Sequence, residues 1–278
     1  MPELPEVETI KLVLQKKIVG KTIRNIEVLS PKSFIGDCSG LRGRKVLKIE
    51  RKAKLLVVNL DKNSLLFHLK MTGQLIYEDG KRFIGGHPTD DMMGKMPNSH
   101  TRVIFSFSDG SHLYFNDQRR FGWIKIIQNS EFELKNLGPE PLEEEFTWQV
   151  LKDNLLKHKS QPVKVALMDQ TVVSGVGNIY SNEACFNAKI DPRTKVGNLT
   201  DNQFKSLHQG VVKALRDGIS HGGSTRAHFR DPEGHKGYFL DYAYVYGLDK
   251  HPCRVCKTEI KKVSLGGRGT YFCHKCQK

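Results

Sequence analysis

Residues 253–256 read Cys-Arg-Val-Cys and residues 273–276 read Cys-His-Lys-Cys, with sixteen residues between the two pairs. Two Cys-x-x-Cys pairs at this separation supply four thiolates, which is the ligand set of a tetrahedral structural zinc site. Such a metal folds a segment that is too small for its own hydrophobic core. The predicted ligands of one structural Zn²⁺ are Cys253, Cys256, Cys273 and Cys276.

The segment around these cysteines is strongly basic. Residues 250–278 contain eight Lys or Arg and one acid, Glu259. Glycines flank Arg268 in the sequence Gly266-Gly267-Arg268-Gly269, and they would let the backbone and the guanidinium approach a phosphate closely. We therefore predict Arg268 as a phosphate ligand. The alternative is a solvated arginine at a hairpin tip.

The whole chain is also basic. Its 278 residues carry 44 Lys and Arg against 30 Asp and Glu, a net charge of +14. This charge favours a polyanionic partner, and it leaves DNA, RNA and an anionic membrane open. No apolar run approaches the ~20 residues of a membrane span, and the acidic N-terminus is unlike a secretory signal. We expect a soluble, intracellular protein.

The hydrophobic pattern predicts one helix followed by a β-rich region. Apolar residues recur at helical spacing from Val7 to Ile18, and Gly20 follows as a stop signal. Short alternating or β-branched runs then fill the sequence from Thr22 to Ile127. So many short strands indicate a β-sandwich or a flattened barrel over residues 1–130.

The second half of the chain is predicted to be helical. The stretch 136–146, with Gly-Pro-Glu-Pro at 138–141 and three consecutive glutamates, interrupts the β pattern and marks the domain boundary, and the first domain is expected to end at residue 130. Helical patterns follow at 148–156, 162–168, 179–186 and 201–220. We expect a helical domain at 131–249 and the zinc segment at 250–278. Between two helices, the glycines of Gly175-Val176-Gly177-Asn178 permit either a phosphate-binding turn or a plain turn.

The N-terminus, Met1-Pro2-Glu3, is a candidate catalytic group. Removal of Met1 would leave a secondary amine beside a carboxylate. An α-amino group has a pKa near ~8 against ~10.4 for lysine, so a larger fraction of it is unprotonated and nucleophilic at neutral pH. The alternative is that Pro2 and Pro5 only begin a helix.

A second motif couples arginine to an aromatic residue. In Asp117-Gln118-Arg119-Arg120-Phe121-Gly122, Phe121 could wedge into a base stack while Arg119 bonds to the orphaned base. Phe121 could equally be a core residue. Met71 is a flexible side chain of similar use, although its sequence context alone would place it in the core.

Six motifs occur in order along nearly the whole chain: Pro-Glu-Leu-Pro-Glu-Val-Glu at 2–8, Arg-Lys-Ala-Lys at 51–54, His-Leu-Lys-Met-Thr-Gly at 68–73, Arg-Arg-Phe-Gly at 119–122, Gly-Val-Gly-Asn-Ile-Tyr at 175–180 and the four-cysteine finger with Arg268. Together these motifs resemble those of bacterial formamidopyrimidine-DNA glycosylases, and the resemblance runs nearly end to end. This resemblance implies an α+β multidomain fold: an N-terminal helix with an antiparallel β-sandwich, a helix-two-turn-helix domain and a zinc-finger hairpin.

The resemblance also implies roles for individual residues. Pro2 would be the Schiff-base nucleophile, and Glu3 the acid that assists base loss and sugar ring opening. Lys54 would donate a proton in β-elimination, and Arg268 would serve δ-elimination. The expected DNA contacts are the wedge residues Met71 and Phe121, then His100, Arg119 and Lys159, and the backbone-phosphate ligands His68, Asn178, Tyr246 and Lys262. Glu6 and Thr225 would belong to the lesion pocket, with the loop 225–237 closing over the everted base.

The implied activity is excision of oxidised purines from damaged double-stranded DNA, followed by strand cleavage, by a monomeric bacterial enzyme in the cytoplasm, associated with the nucleoid. Two alternatives stay open: an endonuclease VIII-like enzyme that prefers oxidised pyrimidines, and a non-catalytic zinc protein that recognises lesions. Leu4 favours the purine enzyme, because the rival usually has glycine there.

Two features depart from the family pattern. The segment 80–97 is longer than the corresponding connection, and we expect either a mobile surface insertion or, preferably, a hairpin extension. A metal site formed by His87, Asp90 and Asp91 is an unfavoured alternative. Met1 blocks the Pro2 amine, so activity presupposes its removal.

Overall fold

The structure is a computed structural model that describes residues 1–86, 94–128, 135–224 and 238–278. These residues divide into two compact units. One unit comprises residues 1–135 with the described ends of 222–238, and the other comprises 136–221 and 239–278. The predicted limits near residues 130 and 249 stay predictions. Across the described ranges, no helix has the length and hydropathy that crossing a bilayer requires.

The first unit begins with helix α1, Leu4–Ile18. Its N-cap is Glu3, whose backbone N–H donates to Oε2 of Glu6 at 2.8 Å in a capping box. The buried face of α1 includes Ile10 and Leu14. The predicted helix is confirmed, and it begins at Leu4 because the capping box organises its first turn.

Ten described strands of this unit form two five-stranded sheets. In chain order they are β1 Ile23–Val28, β2 Phe34–Ile35, β3 Val46–Lys52, β4 Leu55–Leu60, β5 Ser64–His68, β6 Gly73–Glu78, β7 Arg82–Gly86, β8 Thr101–Phe107, β9 His112–Asp117 and β10 Trp123–Ile127. One sheet has the order β1-β8-β9-β6-β7, and the other has the order β2-β10-β5-β4-β3. The short β2–β10 pair is parallel, whereas the other pairs are antiparallel.

The two sheets and α1 share one hydrophobic core, as a sandwich requires. Phe67 from one sheet meets Phe105 from the other with ring centroids 5.9 Å apart. Leu14 of α1 belongs to the same cluster. The predicted β-sandwich is therefore confirmed.

The segment 80–97 is in part a strand. Strand β7 pairs with β6, and Gly86 (φ +120°) passes so close to the backbone that a Cβ there would lie 2.4 Å from the carbonyl oxygen of Gly73. The preferred hairpin extension thus describes the residues up to Gly86. His87, Asp90 and Asp91 lie outside the described residues.

The second unit is mainly helical. Its helices are α2 Trp148–Leu156, α3 Val163–Leu167, α4 Asn178–Asn187, α5 Asp201–Ser220 and the short α6 Phe239–Tyr242. Thr200 and Gln203 form a capping box at the start of α5. Helices α4 and α5 pack closely at Gly210, where a Cβ would lie 2.5 Å from the carbonyl oxygen of Ala184.

A two-stranded hairpin forms the C-terminal finger. Strands β11 Lys261–Leu265 and β12 Arg268–Phe272 pair antiparallel through a turn at Gly266 and Gly267, whose φ values are +55° and +70°. Two consecutive positive φ angles define a type I′ hairpin turn, which favours glycine. The predicted α+β fold with a terminal finger is confirmed.

Candidate functional site

The head of α1 places two carboxylates in buried positions. Pro2 is buried, and Glu3 and Glu6 are 3% and 5% exposed. Glu6 accepts two backbone N–H groups: that of Glu3 at Oε2 and that of Ser224 at Oε1, both at 2.8 Å. The carboxylate therefore joins the first turn of α1 to the residue that precedes the segment 225–237. Thr225, predicted in the lesion pocket, lies outside the described residues.

Lys54 occupies a two-residue turn between β3 and β4. The turn begins with Ala53 at φ +53°, and Lys54 is only 6% exposed. A lysine this buried is uncommon and costs desolvation free energy unless neighbouring groups compensate for it. The turn thus presents a sequestered amine rather than a solvated surface lysine.

His68, at the end of β5, carries a neutral imidazole. Its Nδ1 accepts the backbone N–H of Lys70 at 3.0 Å, so the ring proton lies on Nε2. Burial, together with the charges of Lys70 and Lys54, lowers the pKa of His68 to about 3. The Nε2–H can donate a hydrogen bond to a phosphate oxygen without adding a net charge.

Phe121 is presented on the turn between β9 and β10. Its side chain is 56% exposed, and the guanidinium carbon of Arg119 lies 5.0 Å from the ring centroid. The buried carboxylate of Asp117 holds the turn by accepting backbone N–H groups of Arg119 at 3.1 Å and Gly122 at 2.6 Å. The hydroxyl of Thr72 also donates to Asp117. The alternative that places Phe121 in the core is wrong.

Strand register brings these predicted residues to one end of the sandwich. His68 pairs with Leu55, which follows Lys54, and with Trp123, which begins β10 just after Phe121. The Thr72–Asp117 hydrogen bond joins the β5–β6 connection, which contains Met71, to the same end. Met71 itself is only half-buried. His100 reaches this region through its carbonyl, which accepts the backbone N–H of Asp117 at 2.9 Å.

In the second unit, one side chain shapes the glycine turn before α4. Gln170 donates to the carbonyl of Val176 at 2.8 Å and accepts the backbone N–H of Gly175, at φ +81°, at 3.0 Å. The ammonium of the buried Lys164 donates a hydrogen bond to the side-chain carbonyl of Asn178. The turn is therefore fixed from both sides, which a plain connection does not need.

A chain of hydrogen bonds runs from this turn to the finger. Asn182 donates to the carbonyl of Asn178 at 2.5 Å and accepts the backbone N–H of Tyr271 at 2.7 Å. The ring of Tyr271 lies 5.2 Å from that of Tyr246 and beneath the Lys262 ammonium. Three predicted phosphate ligands, Asn178, Tyr246 and Lys262, are thus joined by short contacts within one unit.

The remaining predicted contacts of this unit are exposed. Arg268 begins β12 directly after the Gly266-Gly267 turn, and Lys159 lies on the surface after α2. The Tyr271 phenol raises the pKa of Lys262 by accepting a hydrogen bond from its ammonium. These cations are available to an anionic partner.

The four finger cysteines form a structural zinc site, as predicted. Their sulfur atoms all lie within 4.8 Å of one another. A tetrahedral site with Zn–S bonds near 2.3 Å has sulfurs about 3.8 Å apart, so the cluster fits this metal. Cys253 and Cys273 pack with Ile260, Phe186 and Val245, which ties the metal site to the helical part of the unit.

Sequence reasoning missed the residues that hold the site in place. Asp117, Gln170, Asn182 and Glu183 have no role in the sequence-based prediction, because each is a polar residue that a pattern assigns to the surface. Glu183 accepts the backbone N–H groups of residues 244, 245 and 246 from a buried position. Burial raises the pKa of its carboxyl.

Three family models match most of the chain. The formamidopyrimidine-DNA glycosylase N-terminal domain matches residues 1–124, the H2TH domain of the same family matches 137–230, and the zinc finger found in FPG and IleRS matches 250–278. Two curated relatives, the formamidopyrimidine-DNA glycosylases of Exiguobacterium sibiricum and Bacillus subtilis, are each 38% identical over 100% of this chain and 99% of their own length. The chain therefore belongs to the formamidopyrimidine-DNA glycosylase family of DNA-repair enzymes.

Solved structures are similar over the same length. The MutM (FPG) protein of Thermus thermophilus is 33% identical with a TM-score of 0.85, covering 99% of this chain and 98% of that one. A Lactococcus lactis FPG mutant in complex with Fapy-dG-containing DNA is 31% identical with a TM-score of 0.87, covering all of both chains. The predicted family resemblance is confirmed.

Proposed function

We propose that this chain is a bifunctional glycosylase and abasic-site lyase that removes oxidised purines, chiefly 8-oxoguanine and formamidopyrimidines, from duplex DNA. The observation that carries the proposal is the end of the sandwich where the buried Lys54, the neutral His68 and the exposed Arg119–Phe121 pair are gathered. Glu3 is the N-cap of α1 in the same unit, and Pro2 directly precedes it. Nucleophile, proton carriers and wedge thus belong to one compact unit.

In the first step, the Pro2 amine attacks C1′ of the damaged nucleotide after Met1 has been removed. The C1′–N bond to the base breaks and the base departs. Glu3 donates its proton to the departing base. It then takes the proton that the Pro2 nitrogen loses and passes it to O4′, as the C1′–O4′ bond breaks and the C1′=N bond forms. The product is an iminium, whose charge cannot be lost by deprotonation at nitrogen because the amine is secondary.

The iminium then serves as the electron sink for strand cleavage. C2′ loses a proton to water, the C3′–O bond breaks, and the 3′ phosphate leaves with a proton held at Nζ of Lys54. Loss of the C4′ proton next expels the 5′ phosphate, a step that Arg268 assists by its charge. Both departing groups are anions, so the two cations suit these roles.

The partner is damaged double-stranded DNA, bound by a monomer. The similar L. lactis and carbocyclic 8-oxo-G complexes contain lesion-bearing DNA. A net charge of +14 favours the same polyanion. The Arg119–Phe121 pair offsets the few kcal/mol that eversion of a stacked base costs.

Borohydride trapping tests this proposal. Protein without Met1 is incubated with duplexes that contain 8-oxoguanine or thymine glycol, and borohydride is added. We expect a covalent adduct at Pro2 with the 8-oxoguanine duplex. Trapping only on thymine glycol would favour the endonuclease VIII-like alternative, and no adduct on either duplex would favour a non-catalytic lesion-binding protein.

A Pro2→Gly variant is the matched control. It keeps the chain length and the capping box of α1, so we expect binding to an uncleavable tetrahydrofuran duplex within about threefold of the wild type. Strand cleavage should fall to background. Retained cleavage would contradict the assignment of Pro2 as the nucleophile.

A further inference from the structure

One arginine joins the turn that carries Lys54 to helix α1. Arg51, near the end of β3, donates its Nε–H to Oε2 of Glu8 on α1 at 2.8 Å. The same guanidinium donates through Nη1 to the carbonyl oxygen of Ala53 at 3.2 Å. The side chains of Arg51 and Glu8 are 8% and 15% exposed. This pair is shielded from solvent, unlike most ion pairs on a protein surface.

The bond to Ala53 acts on the position of Lys54 directly. The Ala53 carbonyl and the Lys54 nitrogen and Cα belong to one planar peptide unit. Fixing the carbonyl oxygen therefore fixes where the Lys54 Cα lies. Ala53 adopts φ +53°, a region that non-glycine residues occupy only when the surroundings hold them there.

The hydrogen bond to Glu8 fixes the position of the Arg51 guanidinium relative to helix α1. This is the helix that follows Pro2 and Glu3. Glu8 lies on α1 beyond the capping box and also accepts the ammonium of Lys11 at 2.5 Å. Its negative charge balances Arg51, so the arginine adds no uncompensated positive charge beside the buried Lys54. A planar guanidinium can hold a carboxylate and a carbonyl at once in fixed directions, which an ammonium does less well.

We infer that Arg51, oriented by Glu8, is a positioning residue that aligns Lys54 with the head of α1 for the elimination step. The inference rests on the proposed function, in which Lys54 protonates the leaving 3′ phosphate. Formation of the Schiff base at Pro2 does not require Lys54 in that scheme. Loss of Arg51 should therefore slow strand cleavage more than covalent attachment.

The test compares two rates on a duplex with a natural abasic site, using full-length, zinc-loaded protein without Met1. Strand nicking and borohydride trapping are measured under single-turnover conditions for the wild type, Arg51→Met and Arg51→Lys. For Arg51→Met we expect nicking to slow by roughly 10- to 100-fold, the scale of a misplacement near 1 Å. Trapping should stay within about threefold, as should binding to a tetrahydrofuran duplex.

Arg44→Met is the matched control variant. Arg44 is in the same unit and also bonds one carbonyl and one carboxylate, Gly40 at 3.0 Å and Asp61 at 3.4 Å. It has no link to the Lys54 turn in these contacts. We expect its ratio of nicking to trapping to equal that of the wild type.

Arg51→Lys retains the positive charge. It provides a second test of the inference if Arg51→Met does not fold. We expect it to fold and trap normally yet to keep a nicking defect of at least about fivefold, because one ammonium replaces the two-point guanidinium. A wild-type ratio of nicking to trapping in Arg51→Lys and in any folded Arg51→Met would overturn the positioning role. Equal slowing of both rates would also overturn it. Absence of both nicking and trapping in the wild type would instead overturn the proposed function itself, and with it this inference.

Discussion

Gly122 approaches the carboxylate of Asp117 so closely that a Cβ at Gly122 would lie 3.0 Å from Oδ2, and 2.8 Å from the ring of Phe115. The Gly122 N–H donates to the same oxygen at 2.6 Å. A side chain at residue 122 would force its N–H away from the Asp117 carboxylate and break the hydrogen bond that holds the Phe121 turn. The exposed position of Phe121 thus depends on the buried carboxylate of Asp117 and on the absence of a side chain at residue 122.

Asp117→Asn should weaken the hydrogen bonds that hold the Phe121 turn. An amide offers only one acceptor oxygen, so its NH₂ group would face one of the two N–H donors that the carboxylate now accepts. We expect a loss of about 1–3 kcal/mol in the free energy of unfolding, measured by urea denaturation. Excision of 8-oxoguanine should fall by roughly tenfold as the turn loosens.

Asp37→Asn is the control, because Asp37 accepts the backbone N–H of Ser39 at 2.9 Å in an exposed local turn. Its unfolding free energy should stay close to that of the wild type, because a substitution at an exposed local turn removes no buried contact. Equal losses in the two variants would contradict the anchoring role of Asp117.

His68 should make the protein less stable in acid. Its pKa is lowered from 6.5 to about 3 by folding, so the unfolded chain takes up a proton below pH 6.5 while the folded protein does not. The contribution is absent above pH 6.5 and increasingly destabilising as the pH falls from 6.5 to 3. The free energy of unfolding falls as the pH is lowered from 7 to 5, and this fall should be smaller in His68→Gln than in the wild type. The difference should be at most about 2 kcal/mol.

The measurement is urea denaturation of the wild type and of His68→Gln at both pH values. If the His68→Gln variant shows the same pH dependence as the wild type, the neutral imidazole does not contribute to acid sensitivity.

Salt dependence should distinguish His68 from Lys159, which is proposed as a cationic DNA contact. A neutral donor displaces no counterion, so His68→Ala should weaken binding to a tetrahydrofuran duplex while leaving the slope of log Kd against log salt unchanged. Lys159→Ala should lower that slope by about 1. Fluorescence anisotropy between low and high salt measures both. An altered slope in His68→Ala would mean that the bound histidine is charged.

Zinc removal should affect the two units differently. The metal site organises the finger, whose core continues to Phe186 and Val245. We expect a chelator to release one zinc per chain and to weaken duplex binding at least tenfold. Because none of the described residues of the sandwich core belongs to the finger, the hydrogen exchange of its central strands should stay unchanged. Loss of exchange protection in β4 and β5 would contradict this separation.

The sequence predicted the helices well, because their signals are local. The pattern at 201–220 coincides with α5, and a capping box marks its start. Within the predicted β region, the sequence at 46–60 and at 65–77 reads as two continuous runs, yet each divides into two strands, at Ala53-Lys54 and near Lys70. Both turns use a non-glycine residue at positive φ, and hydrophobic patterns do not report such a conformation.

Sequence motifs predicted the candidate site residues, but they did not predict the buried polar residues that hold those side chains and turns in place. Residues such as Arg268 and the cysteines lie in short motifs, and the chemistry of these motifs can be inferred from residue type and spacing. Asp117, Arg51 and Glu183 are polar residues whose importance depends on burial beside groups distant in sequence. A pattern cannot locate such partners, because the register and packing that bring them together are tertiary.

The hydrogen bond from Ser224 to Glu6 spans 218 residues and has a consequence for biosynthesis. A nascent chain that has reached Lys135 already contains every described strand of the sandwich, yet Oε1 of the buried Glu6 lacks this donor. A hydrogen bond to a charged group contributes about 1.5–3 kcal/mol, so the head of α1 is less stable until this bond forms. At translation rates of about 5–20 residues per second the donor arrives roughly five to twenty seconds later. The head of α1, with Pro2, is therefore completed only after most of the helical unit has been synthesised.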